Sequence, residues 1–236
     1  HNQSRRQRQM CIRDSSGKDS MKNDYGSGPD KISIPPTLLF SLFGDHPDVR
    51  KTATSDFKFA GDRIYLVGSS KQELGASELA FMLTESGEAA GVGGDVPRLL
   101  VPEENLNTYR SLSACIRAGW VRTAHDCSEG GVAVALAEMC IGGRVGAVVD
   151  IDGTGDGDVW GRLWGESLGR FIVAVSSEHE GAFLEAMRGH PTTVLGHVQT
   201  EATLVITDGD DSLIAADVES LVDAWKGTLD LTGGVS

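Results

Sequence analysis

The chain has 236 residues, 40% of them hydrophobic and 23% charged, with 30 Gly and only 7 Pro. That composition is enough to bury a core and excludes collagen-like and broadly disordered classes. The net charge of −13 is uneven, with about +3 on residues 1–28 and −16 on the remainder, and so acidic a body argues against nucleic acid as a partner. No run of about 18 apolar residues is present, and the basic N-terminus lacks an apolar core segment. The expectation is a soluble globular protein of the cytoplasm, with no membrane partner. Cys11, Cys115, Cys127 and Cys140 form no C-x-x-C pair, a pattern that fits reduced thiols better than a zinc site or a disulfide framework.

Residues 1–15 (HNQSRRQRQMCIRDS) have neither helical nor strand period and read as a disordered or non-native arm. Residues 17–29 are polar and glycine-bearing; Pro35 and Pro36 then stop any helix, and Leu38–Phe43 is short enough for one buried strand. After a charged, irregular stretch over 45–62, Ile64–Val67 predicts a second buried strand closed by Gly68. Ser77 is placed to cap a short helix running through Leu83, with a glycine-rich loop over 89–94. Leu106, Tyr109, Leu112, Cys115 and Ile116 recur at spacings of three and four, which predicts an amphipathic helix over 105–118 ended by Gly119. A second apolar stripe (Val132, Ala135, Leu136, Met139, Cys140) predicts a helix that follows a polar turn and is closed by Gly142 and Gly143.

Beyond it, 147–151 reads as a strand, 152–158 as a Gly/Asp loop, 170–175 as a strand and 178–188 as a helix. Strands over 194–198, 203–207 and 213–216 precede a helix capped by Asp217. Interleaved strands and helices over about 62–228 predict one mixed α/β layer domain, α+β in connectivity.

Three strings carry candidate chemistry. In His125-Asp126-Cys127-Ser128-Glu129-Gly130-Gly131 the start of the second helix presents amide donors; Ser128 or Asp126 would accept from the first of them, and Gly130 and Gly131 leave room for an anion such as phosphate. The alternative is an ordinary cap with glycines needed for close packing. Gly17-Lys18-Asp19-Ser20 offers a hard oxygen ligand for Mg²⁺ in Asp19 and donors in Lys18 and Ser20, or is a solvated turn. Glu166, Ser167 and Arg170 at a strand entrance suit a hydroxylated or phosphorylated ligand, or a structural role. His125 reads as an acid or base, or as a packing histidine, and Cys127 as a small apolar filler.

Together these segments resemble a known family. SGKDSMKND (16–24), ISIPPTLLFSLFG (32–44), GDRIYLVG (61–68), ELGASELA (73–80), AHDCSEGGVAVALAEM (124–139) and WGESLGRF (164–171) are similar, in order, to the synthetase component of phosphoribosylformylglycinamidine (FGAM) synthases. These enzymes belong to the superfamily related to aminoimidazole ribonucleotide (AIR) synthetase. The resemblance implies an AIR synthetase-like C-terminal domain over 61–228, with a mixed sheet flanked by helices. A remnant of the second N-terminal-type domain would span 16–60, with a tail over 229–236.

It further implies an ATP-dependent carbon–nitrogen ligase of purine biosynthesis, converting formylglycinamide ribonucleotide and glutamine-derived ammonia to FGAM with release of ADP. The nucleotide- and substrate-binding positions would be Gly17, Lys18, Ser20, Asp126, Ser128, Gly130, Gly131, Glu166, Ser167 and Arg170, with Asp19 toward Mg²⁺. Catalytic residues are expected in an N-terminal half not represented in this sequence, so the chain alone is expected to be inactive. That half, a glutaminase and a small accessory subunit are the implied partners. The competing readings are another enzyme of the superfamily, of selenophosphate synthetase or thiamine-phosphate kinase type, and a non-catalytic nucleotide-binding module.

Overall fold

The structure, a computed structural model, describes residues 24–33, 44, 46, 48–87, 93–98 and 102–227. The 1–15 arm, the 17–20 loop with Asp19, the expected strand over 38–43 and the 229–236 tail lie outside the described residues. The chain divides into two units at 47/48. In the first, β1 (Asp24–Tyr25) pairs antiparallel with β2 (Ile32–Ser33). The second begins at Asp48 and includes residues 48–60. Within that stretch Phe57 is 1% exposed, and its amide donates to the Met139 carbonyl at 3.0 Å.

The second unit is built on one seven-stranded sheet. Its strands are β3 (Arg63–Val67), β4 (Val121–Asp126), β5 (Gly146–Asp150), β6 (Phe171–Val175), β7 (Thr192–Gln199), β8 (Thr203–Asp208) and β9 (Asp211–Asp217). They lie in the order β4-β6-β3-β7-β5-β8-β9, antiparallel throughout except for β5 beside β8. This is the mixed α/β sheet that the interleaved pattern predicts.

Alternation along the central strands explains why both faces need cover. Ile64 and Leu66 of β3, with Ile172 and Ala174 of β6, join one core; Tyr65, Val67, Val173 and Val175 join the other. Helices α3 (Gly131–Gly143), α4 (Val159–Trp164) and α6 (Val218–Gly227) pack on the first face. Helices α2 (Pro102–Ala118) and α5 (Glu180–Ala186) pack on the second through Leu112, Cys115 and Phe183. The short α1 (Glu78–Glu85) starts where Ser77 Oγ accepts from the Ala80 amide at 3.2 Å, as the capping pattern predicts.

Three local expectations need correction. Strand β4 was not anticipated, because Arg122, Thr123, His125 and Asp126 break the apolar signal; its pairing with β6 supplies what its side chains do not. Helix α4 was also missed, being a single six-residue stretch that contains a glycine. Finally, α3 ends on Gly142 and Gly143 as predicted, but neither glycine takes the left-handed capping conformation, which falls to Arg144 at φ +55°. The glycines answer to packing: a Cβ on Gly143 would fall well inside van der Waals distance of the Phe57 carbonyl, and one on Gly142 would sit 3.0 Å from Asp56 Cβ.

Gly143→Ala therefore separates packing from propensity. In a free helix the exchange would stabilise by about 1 kcal/mol. Here the forced displacement of the 56–57 backbone is expected to destabilise by about 1–3 kcal/mol, read from urea unfolding midpoints. A stabilised variant would show that the close approach is not required.

Candidate functional site

Two of the candidate strings meet because of sheet topology. Asp126 at the end of β4 is paired with Phe171 at the start of β6, and just beyond this pair the Cys127 amide donates to the Arg170 carbonyl at 3.0 Å. The 126–131 loop, leading into α3, and the 165–170 loop thus lie side by side. They line a cleft of about 430 Å³ to which Pro97, Tyr109 and Phe171 also contribute. Asp126, Ser128, Glu166 and Arg170 border it.

Gly130 and Gly131 sit at φ +73° and +65°, in the left-handed region where L side chains are strained. Gly131 has a further constraint, since a Cβ there would lie 2.6 Å from the Gly165 carbonyl and 2.7 Å from that of Leu163. Close approach of α3 to the end of α4 requires this glycine. Gly130→Val would combine positive φ with a clash against Val134.

The N-terminus of α3 is arranged differently from the cap the sequence suggests. Gly130 is the N-cap and no side chain caps it. Ser128 donates its hydroxyl to Asp126 instead of accepting from the helix. That bond, helped by neighbouring His125 against the opposing effect of burial, holds the Asp126 carboxyl below the usual range. The Gly130 amide is engaged by Glu166, whose Oε1 accepts from it at 3.0 Å and from the Glu78 amide at 2.9 Å. One carboxylate oxygen therefore joins the start of α1 to the start of α3, occupying the place an external anion would otherwise take at Gly130.

Ser167 and Arg170 are interior anchors. Ser167 is 2% exposed and its Oγ accepts from the Lys71 amide at 3.0 Å. Arg170 is 1% exposed and spends its guanidinium on the Ser167 carbonyl (2.9 Å), Ser70 Oγ (2.8 Å) and the Gly165 carbonyl. Burial pushes Arg170 below the usual guanidinium range, while Cys127, Glu73 and Glu166 nearby favour the charged form. All three of these partners are oxygens of the same domain, as a structural role requires. Cys127, buried and pushed up to about 12 by desolvation, is a neutral filler as expected. His125 lies 3.0 Å from Glu138 Oε2 and 3.4 Å from Asp126 Oδ1, between two carboxylates.

Sequence reasoning missed the 70–78 segment as part of this site. Ser70, Lys71, Glu73 and Glu78 all bond to the 165–170 loop; a polar stretch directly after the buried strand β3 was the available signal. Among the described residues no group of three or more His, Cys, Asp or Glu side chains could hold a metal ion, so the cleft carboxylates Asp126, Glu129 and Glu166 do not make a Mg²⁺ site by themselves.

Residues 60–209 match the profile of the family described as AIR synthase related protein, C-terminal domain. The chain belongs to that family. Solved structures with the same fold include Thermotoga maritima PurL complexed with FGAR, at 21% identity and TM-score 0.61, covering 73% of this chain and 30% of that one. Phosphoribosylformylglycinamidine synthase II from Thermotoga maritima aligns at 21% identity and TM-score 0.56, over 72% of this chain and 27% of that one. The structure of PurLQS from the same organism aligns at 21% and 0.57, over 73% and 28%. The chain spans under a third of the length of these structures, and at such identities the likeness is one of fold. No helix among the described residues is long and apolar enough to cross a membrane.

Two measurements test this site. Ser128→Ala removes a donor from Asp126 rather than a helix cap, so it is expected to cost less than about 0.5 kcal/mol, below the usual cost of losing a cap. It should raise the Asp126 carboxyl pKa toward its ordinary value in an NMR titration; a larger stability loss with no pKa change would restore the capping role. Arg170→Met should destabilise by about 3 kcal/mol or more, because the buried Ser70, Gly165 and Ser167 oxygens lose their donor together. Thermal melts read this directly, and an unchanged melt would refute the anchoring role.

Proposed function

We propose that the chain is the C-terminal part of an FGAM synthase-type synthetase. In this reading it supplies one wall of a site where ATP activates the formyl amide oxygen of formylglycinamide ribonucleotide and ammonia displaces it. The observation that carries the reading is the convergence of the 126–131 and 165–170 loops on one cleft within a domain of the AIR synthase related family. Asp126, Ser128 and Glu166 form the ligand-facing wall, Gly130 and Gly131 hold its backbone close to Glu166 and Gly165, and Ser167 and Arg170 brace it with their buried hydrogen bonds. The resemblance also assigns Gly17, Lys18 and Ser20, which lie outside the described residues, to nucleotide and substrate, and Asp19 to Mg²⁺.

The electrostatics agree with a shared site. Asp126, Glu129 and Glu166 border the cleft, Glu166 occupies the Gly130 amide, and Arg170 is spent internally. Phosphate groups therefore need cations supplied from outside this domain. The remaining synthetase half, a glutaminase and a small accessory subunit are the proposed partners. The FGAR-complexed and PurLQS structures from Thermotoga maritima, which share the fold, are consistent with this assignment.

Purified chain mixed with formylglycinamide ribonucleotide, ATP, Mg²⁺ and ammonium is expected to form no FGAM. Turnover that survives stringent purification would overturn the placement of catalysis elsewhere. Joined to a synthetase half that it fits, the chain should restore turnover, and Glu166→Ala should then lower kcat/KM by about tenfold or more, an effect of a few kcal/mol at most. Restored turnover that is indifferent to Glu166 would exclude this wall.

A further inference from the structure

The second unit carries 14 Lys and Arg against 29 Asp and Glu, a net charge of −15. Against that background one cleft of about 420 Å³ is lined by five of the cations, Arg50, Lys51, Lys58, Arg117 and Arg122, together with Phe59. It lies between the 50–59 segment and the turn joining α2 to β4, and shares no residue with the cleft bordered by Glu166.

Three of the five cations are matched internally. Arg50 pairs with Asp48 at 2.9 Å, Lys58 with Asp56 at 3.3 Å and Arg122 with Asp62 at 2.9 Å. Among the described residues Lys51 and Arg117 have no carboxylate in salt-bridge range, and Arg117 bonds only to Ser113 Oγ, at 2.7 Å. The cleft therefore has an excess of two positive charges. Phe59 is 55% exposed and the Arg122 guanidinium lies 4.7 Å from its ring centroid. Ring and ion pair together hold that guanidinium in place before any ligand arrives, which lowers the ordering cost of binding.

An electropositive concavity in an acidic protein focuses field lines and concentrates small anions. Its volume suits a small molecule. A large acidic partner would meet the repulsion of the whole unit, whereas a compact, doubly charged group meets mainly the local excess. The arginine forks suit phosphate oxygens better than a lysine cluster would. We propose that this cleft binds the phosphate or pyrophosphate group of a small ligand, at a site separate from the paired loops.

The test is calorimetric titration of inorganic pyrophosphate into the whole chain at low ionic strength without divalent cations. Wild type should bind, with a Kd that rises with added salt. The double variant Lys51→Ala/Arg117→Ala should bind at least about tenfold more weakly, with an unchanged melt because both side chains are exposed. Lys226→Ala should bind as wild type, which shows that losing an exposed cation elsewhere does not reproduce the effect. No wild-type binding at millimolar pyrophosphate, or equal affinity in the double variant, would overturn the proposal. A parallel titration with ATP identifies the source of the group. Tighter ATP binding that Phe59→Ala reduces to the pyrophosphate level indicates a nucleotide, and equal binding of the two indicates an inorganic anion; either result upholds the site.

Discussion

A guanidinium enclosed in the interior has to find oxygen atoms, and the organisation of the candidate site follows from how Arg170 finds them. With 1% exposure it has no solvent to share its charge, and desolvating a cation is among the costliest events in folding. Its donors reach the Gly165 and Ser167 carbonyls and Ser70 Oγ. The first two curl the 165–170 loop around its own arginine, and the third joins that loop to the segment leaving β3. Lys71 and Ser167 then bond across the same seam. Residues some hundred positions apart in the chain become one rigid element because a single buried charge needs all of their oxygens.

That rigid element presents Glu166. Its carboxylate gathers the first amides of α1 and α3 on one oxygen, and negative charge is most favourable at helix N-termini. The left-handed glycines permit this arrangement: Gly131 lets α3 approach the Gly165 carbonyl, and Gly130 turns its amide toward Glu166. The outcome is a preorganised wall bordered by carboxylates, with its own cation turned inward. Under the proposed function such a wall would orient a ligand without neutralising it.

Charge is distributed over the second unit with the same economy. Most of its cations are tied to individual carboxylates, as Arg162 is to Asp208 and Arg144 to Glu219. The cleft beside Phe59 is where cations outnumber the carboxylates that face them. The two clefts are therefore opposite in electrostatic character, one bordered by carboxylates and one by cations, on the same small domain.

The amino-acid sequence by itself determined the elements with strong periodicity or a marked boundary: β3, α2, α3, the closing strands, and the caps at Ser77 and Asp217. It also singled out the 126–131 and 165–170 strings, since runs of Gly with Ser, Asp and Glu at element boundaries are legible without coordinates. Tertiary structure alone decided what those residues touch. Strand β4 exists because β6 pairs with it, Gly142 and Gly143 at the end of α3 also admit the 56–57 backbone while Arg144 takes the left-handed cap, and Ser128 turns to Asp126 instead of the helix. Arg170, for which the sequence leaves both a ligand and a structural role open, is a buried anchor in space. The physical reason is common to all of these cases: hydrogen-bond partners and close backbone approaches come from segments distant in the chain, and periodicity and spacing carry no record of which segments meet.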